Sequence, residues 1–190
     1  MSIPESLPPS TTGLDFSFNT LPFIHSSTFK LDLTRCQINW IYEDAFQYQI
    51  NLQTLVLIGN QFMFIADNAF SGPVKLNHLF LAQTALSTLR FVPSENLNWS
   101  ETQDFGDNDI YSLQLLSSFT TRNLNLDFQL NGIQKIQATD VEVLKHAIGL
   151  NLNFKGNDIF IEPGAFDSCQ FNSLDLSGCL DEVDLSVILF

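Results

Sequence analysis

The stretch LQTLVLIGNQFMFIADNAF (residues 52–70) sets the pattern for the whole chain. Leu55 and Leu57 alternate as one face of a short strand requires. Asn60 then turns the chain, and Phe62, Ile65 and Phe70 supply apolar groups on the return path. The same strand and turn positions recur as Leu14, Phe16 and Asn19, then as Leu31, Leu33 and Cys36. After the template come Leu79, Leu81 and Thr84, a worn copy at Gln103, Phe105 and Asn108, and Leu126, Phe128 and Asn131. Leu152, Phe154 and Asn157 follow, then Leu174, Leu176 and Cys179.

Successive turn positions are separated by 17, 24, 24, 24, 23, 26 and 22 residues. All but the first step fall within the roughly 20–29 residues of the leucine-rich repeat, in which each unit is a short strand plus a return. Such units bury their apolar face only by stacking. The predicted fold is therefore an α/β leucine-rich-repeat solenoid, a curved horseshoe with a parallel β-sheet on its concave face and incomplete caps. Residues 1–13, with Ile3, Pro4, Leu7, Pro8 and Pro9, read as the remnant of an N-terminal cap. Residues 14–190 hold about eight repeats by this pattern, open at the C-terminus.

Three irregularities carry expectations. Phe46 and Phe70 each precede the next strand leucine by nine residues, whereas Phe29 precedes Leu31 by two, which predicts local distortion or a misfit between the first and second strands. Gln103 stands where a leucine belongs, with Trp99 as a candidate filler. Phe29, Phe46, Phe70 and Phe166 share one repeat phase, which predicts a column of stacked rings. Cys36 and Cys179 occupy the asparagine position of the turn, so buried free thiols are expected there, and the repeat phase argues against a bridge between Cys169 and Cys179.

Composition narrows the function classes. The net charge is −13, and no cluster of Lys and Arg could hold a polyanion, so nucleic acid is not an expected partner. No run of about 18 apolar residues is present to span a membrane, and the first residues lack the basic and apolar regions of a signal peptide. Taken literally, that describes a cytosolic chain. Asp104-Phe105-Gly106 has the letters of a kinase metal-binding tripeptide but none of its companion motifs, and it coincides with the repeat's own strand and turn. Asp104, Asp107 and Asp109 lack the Gly and Glu that complete a calcium loop. His25, His78 and His146 lie in three different repeats. No catalytic residues, metal ligands or cofactor are expected.

Binding by the concave face remains. The strand positions that do not enter the core point into the groove. They include Asp15, then Asp32, Thr34 and Arg35, then Val56 and Ile58, then Phe80 and Gln83, and further on Asp127, Asn153, Lys155 and Asp175. Acids, one arginine and exposed apolar groups together form a protein-binding composition. Asn98-Trp99-Ser100 is the one N-glycosylation sequon, which marks Asn98.

LDLTRCQINWI (residues 31–41), with LPPSTTGLDFSFN (7–19), TLVLIGN (54–60), LNHLFLAQT (76–84) and LNLNFKGNDIFIEPGAFDS (150–168), resembles ectodomains of the Toll-like receptor family near its lipopolysaccharide-sensing member. The resemblance spans nearly the whole chain and reaches non-consensus positions such as Arg35, Cys36 and Trp40. It implies a non-enzymatic, extracellular or cell-surface receptor ectodomain in innate immunity. It also implies a small secreted lipid-binding co-receptor of the MD-2-related fold as partner, with other Toll-like receptors as further partners. Asp15 and Asp32 match the acidic strand positions that hold that partner, with Thr34, Arg35 and Ile58 beside them. Gln83 matches a position that is acidic in the lipopolysaccharide receptor. Signal peptide, N-terminal cystines, later repeats and membrane anchor are not in the sequence. The rival readings are a cytosolic repeat scaffold and a truncated product without function.

Overall fold

The computed structural model describes residues 28–67, 69–89, 101–113, 115 and 119–179, together with the backbone of 13–15. In chain order the strands are β1 (Gly13–Asp15), β2 (Lys30–Asp32), β3 (Trp40–Ile41), β4 (Thr54–Val56), β5 (Phe64–Ile65) and β6 (His78–Phe80). They continue with β7 (Thr102–Asp104), β8 (Asn125–Asp127), β9 (Lys135–Ile136), β10 (Ile148–Asn153), β11 (Phe160–Ile161) and β12 (Gln170–Asp175). A single helical turn, Ala138–Val141, and a 3-10 turn, Glu142–Leu144, lie between β9 and β10.

The described residues form an eight-stranded parallel sheet in the order β1-β2-β4-β6-β7-β8-β10-β12. Each strand carries one of the recurring signatures, so the chain is a leucine-rich-repeat solenoid. Two smaller parallel pairs, β3 with β5 and β9 with β11, lie on the return path. The core runs between these layers: Leu31, Leu55, Leu79, Leu126 and Leu152 from the strands, and Leu33, Leu57, Leu81, Phe105, Phe128 and Phe154 just after them, are all buried.

The turn asparagines explain why the signature needs that residue. Asn60 Nδ2 donates to the Leu57 carbonyl at 2.7 Å and to the Leu33 carbonyl of the preceding repeat at 2.9 Å. Its Oδ1 accepts from the Ile38 N–H at 3.0 Å. Asn108, Asn131 and Asn157 repeat the arrangement, so each amide, buried or half-buried, links two repeats through otherwise orphaned backbone groups. Cysteine keeps only part of it: Cys179 Sγ donates to the Phe154 carbonyl at 2.8 Å, and Cys36 makes a longer contact with the Thr34 carbonyl. Cys36, Cys169 and Cys179 are all buried and no disulfide joins them, in keeping with the repeat phase.

Two expectations are corrected. Strands β1 and β2 pair without misfit, Gly13 with Lys30, Leu14 with Leu31 and Asp15 with Asp32. The crossover runs from Asp15 to Lys30, long enough for a parallel connection of about a dozen residues, so the short spacing after Phe29 does not disturb the pairing. The ring column is also different. Phe46 and Phe70 stack with centroids 5.7 Å apart, but Phe166 meets Phe171 edge-on and Phe29, one residue before β2, is exposed. A second column, Phe105–Phe128–Phe154, has centroids 5.4 and 5.5 Å apart and fills the place that leucines hold in earlier repeats. Trp99 lies outside the described residues.

Candidate concave binding face

The strand register aligns residues of different repeats into rows. One row runs Asp15, Asp32, Val56, Phe80, Asp104, Asp127, Asn153, Asp175. A second runs Lys30, Thr54, His78, Thr102, Asn125, Asn151, Ser173. The residues between the rows are those that enter the core, so by strand alternation both rows face the groove from β2 onward, although Val56, expected to be exposed there, is buried by its neighbours.

The acids of the first row build the turn before they can meet a ligand. Asp32 Oδ1 accepts from the Thr34 N–H at 3.1 Å and from its hydroxyl at 2.6 Å. Asp104, Asp127 and Asp175 accept in the same way from the N–H of Gly106, Gln129 and Ser177, all at 2.9 Å. The residue after each turn's first position then lies in the left-handed region: Arg35, Gly59, Gln83, Asp107, Leu130, Gly156 and Gly178 have φ between 52 and 72°. That conformation costs a non-glycine residue roughly 1 kcal/mol, which the aspartate cap and the asparagine link offset. Gly59 has a further reason, because a Cβ there would meet Arg35 Cγ at 2.7 Å.

The expected site residues come together along one rim of the sheet. Asp15 and Asp32 pair across adjacent strands, and Thr34 and the exposed Arg35 form the turn after Asp32. Half-buried Ile58 takes the position of Thr34 one repeat on, and Gln83 takes the position of Arg35 two repeats on. Gln83 Nε2 donates to Asp107 Oδ2 at 2.9 Å, so its amide is tied to the next turn. Asn98 lies outside the described residues.

Sequence reading passed over Asp104 as part of a tripeptide. Its phase, directly after the central inward residue of its strand, is the signal that would have placed it beside Asp127. A depression of about 440 Å³ opens along β6 to β12, with Phe80, Thr102, Asp104, Asn125, Asp127 and Asp175 among its lining. Burial pushes the Asp104 carboxyl up from its ordinary value, the neighbouring Asp127 charge adds to this, and the Gly106 N–H opposes it. Hydrogen bonds from the Ser177 hydroxyl and N–H, together with nearby Lys155, hold Asp175 below the usual range. Among the described residues, no group of His, Cys, Asp and Glu is placed to hold a metal ion, and no helix is long and apolar enough to cross a membrane.

A leucine-rich-repeat family model matches residues 28–86. CD180 antigen of Mus musculus is 48% identical over 185 residues, 93% of this chain and 28% of that protein. Toll-like receptor 4 of Felis catus is 34% identical over 195 residues, 96% of this chain and 23% of that protein. The chain is a leucine-rich-repeat protein that is similar over nearly its whole length to parts of CD180 and Toll-like receptor 4. It spans less than a third of the length of these relatives. Among solved structures, the mouse RP105/MD-1 complex contains a chain 46% identical to this one, with a TM-score of 0.74 over 87% of this chain and 29% of that chain.

Proposed function

We propose that this chain is part of a non-enzymatic innate-immune receptor ectodomain, extracellular or at the cell surface. Its concave face holds a small lipid-binding co-receptor of the MD-2-related fold and so takes part in, or modulates, lipopolysaccharide and Toll-like signalling. The observation that carries this reading is the row of aspartates across the concave sheet, on a fold 46% identical to a chain crystallised with MD-1. A preformed groove lined by carboxylates, amides and the half-buried ring of Phe80 complements a partner with a basic rim and an apolar centre. Asp15, Asp32, Thr34, Arg35, Ile58 and Gln83 are the contact residues at the N-terminal end, and Asp104 and Asp127 extend the same row. Asn98, when glycosylated, places the chain in the secretory pathway.

Immobilised MD-1-type protein tests this. Asp32→Lys is expected to weaken binding at least about tenfold, because it turns an attraction into a repulsion inside the contact. Asp32→Asn keeps the acceptor for Thr34 and is expected to weaken it less. Unchanged binding by Asp32→Lys would overturn the assignment.

A further inference from the structure

We propose that Trp40, Tyr42, Met63 and Phe64 form a docking shelf for a basic protein face that lays arginine side chains across the exposed rings. The shelf lies on the return path, on a different sheet from the concave face, and does not depend on the function proposed above.

Strand alternation builds it. Pairing of β3 with β5 sets Trp40 beside Phe64 and Ile41 beside Ile65. Ile41 enters the core, so Trp40 and Tyr42, one residue to either side, point outward. The Trp40 and Tyr42 ring centroids are 6.4 Å apart with planes 13° from parallel, and those of Trp40 and Phe64 are 6.0 Å apart. The four residues remain 50, 66, 74 and 46% exposed in the order Trp40, Tyr42, Met63, Phe64. Single exposed apolar residues are ordinary, but three touching rings with a methionine beside them form a contiguous patch that water solvates poorly. Trp and Tyr in such clusters are the residues that most often dominate the energy of protein contacts.

Charge decides the occupant. Ring faces carry partial negative charge and attract guanidinium groups. Glu43, next to Tyr42, is exposed. Asp67, also exposed, lines a depression of about 220 Å³ together with Met63, Phe64, Ser87 and Thr88. No Lys or Arg occurs anywhere from residue 36 to 74. A second copy of this chain, at a net charge of −13, and an anionic membrane surface are both repelled by such a rim. A basic protein face meets rings and carboxylates together.

The test titrates the intact chain, at physiological ionic strength, with synthetic peptides of alternating Arg and Gly, Lys and Gly, or Glu and Gly. The Arg peptide is expected to bind best, since guanidinium stacks on rings where ammonium does not. Trp40→Ala with Phe64→Ala should weaken it about tenfold or more, a loss of about 1.4 kcal/mol or more. Glu43→Gln with Asp67→Asn, which leaves the rings and the core untouched, should weaken it severalfold. Asp158→Asn with Asp167→Asn, exposed carboxylates several repeats from the shelf, should change it less than about twofold. Equal binding by the ring variant, loss only in the Asp158/Asp167 variant, or no binding of the Arg peptide by the parent chain would each overturn the proposal. So would self-association, or binding to phosphatidylcholine/phosphatidylserine vesicles, that the ring variant abolishes.

Discussion

In β4 the central inward residue is Leu55, enclosed between Leu31 on one neighbouring strand and Leu79 on the other. In β7 the same place is held by Gln103, between Leu79 and Leu126. Gln103 is fully buried, and its amide oxygen and nitrogen have no partner among the described residues. The backbone nevertheless keeps register on both sides. The comparison separates two jobs that the repeat pattern assigns to one motif. The asparagine link and the parallel hydrogen bonds position the strand, while the leucine supplies the burial. Asn108 performs the first job in full: it donates to the Leu81 and Phe105 carbonyls and accepts from the Thr84 and Leu86 N–H groups. Stacked Phe105, two residues after Gln103, restores part of the second.

Substitutions at the two repeats sharpen the contrast. The largest effect is expected when the template receives the worn residue: Leu55→Gln loses a buried side chain and adds an unpaired amide, for a loss of about 4 kcal/mol in urea unfolding. Asn108→Ala follows at about 3 kcal/mol, since several buried backbone groups lose their partner, and Asn60→Ala should cost nearly as much. If Asn108→Ala were almost silent, the division of labour would be wrong. The reverse exchange, Gln103→Leu, is expected to stabilise by about 2 kcal/mol by removing the desolvated amide. Phe128→Leu should cost about 1 to 2 kcal/mol by interrupting the stack on both sides.

The smallest effect concerns pH. Burial raises the Asp104 carboxyl, so within the window above 3.8 the folded chain holds its proton more tightly than the unfolded chain. Stability contributed by this group therefore falls as pH rises through that window. Asp104→Asn, which keeps the acceptor for Gly106, is expected to gain relative to the parent between acid and neutral pH. A parent chain that gains on the variant as pH rises would contradict the burial.

The repeat phase made the fold legible, because apolar residues at fixed spacing admit few other arrangements. The outward position of Asp32 was legible for the same reason: once the strand is placed, its alternate positions follow. Asp104 was hidden by a more familiar tripeptide, whereas Gln103 was legible from the repeat phase as the residue in a leucine's place. The short step before Leu31 misled because it was counted from the return path rather than from strand to strand. The Trp40 shelf lay beyond the repeat pattern altogether. Its rings come from two repeats, and the pairing of β3 with β5 that brings them together is too short to read from alternation.

Carboxyl footprinting of the chain with and without MD-1-type protein tests the concave face directly. Binding there predicts that Asp32, Asp104 and Asp127 lose reactivity on complex formation, while Glu43 and Asp67 on the return path keep theirs. Protection of Glu43 and Asp67, with the row of aspartates unchanged, would contradict it.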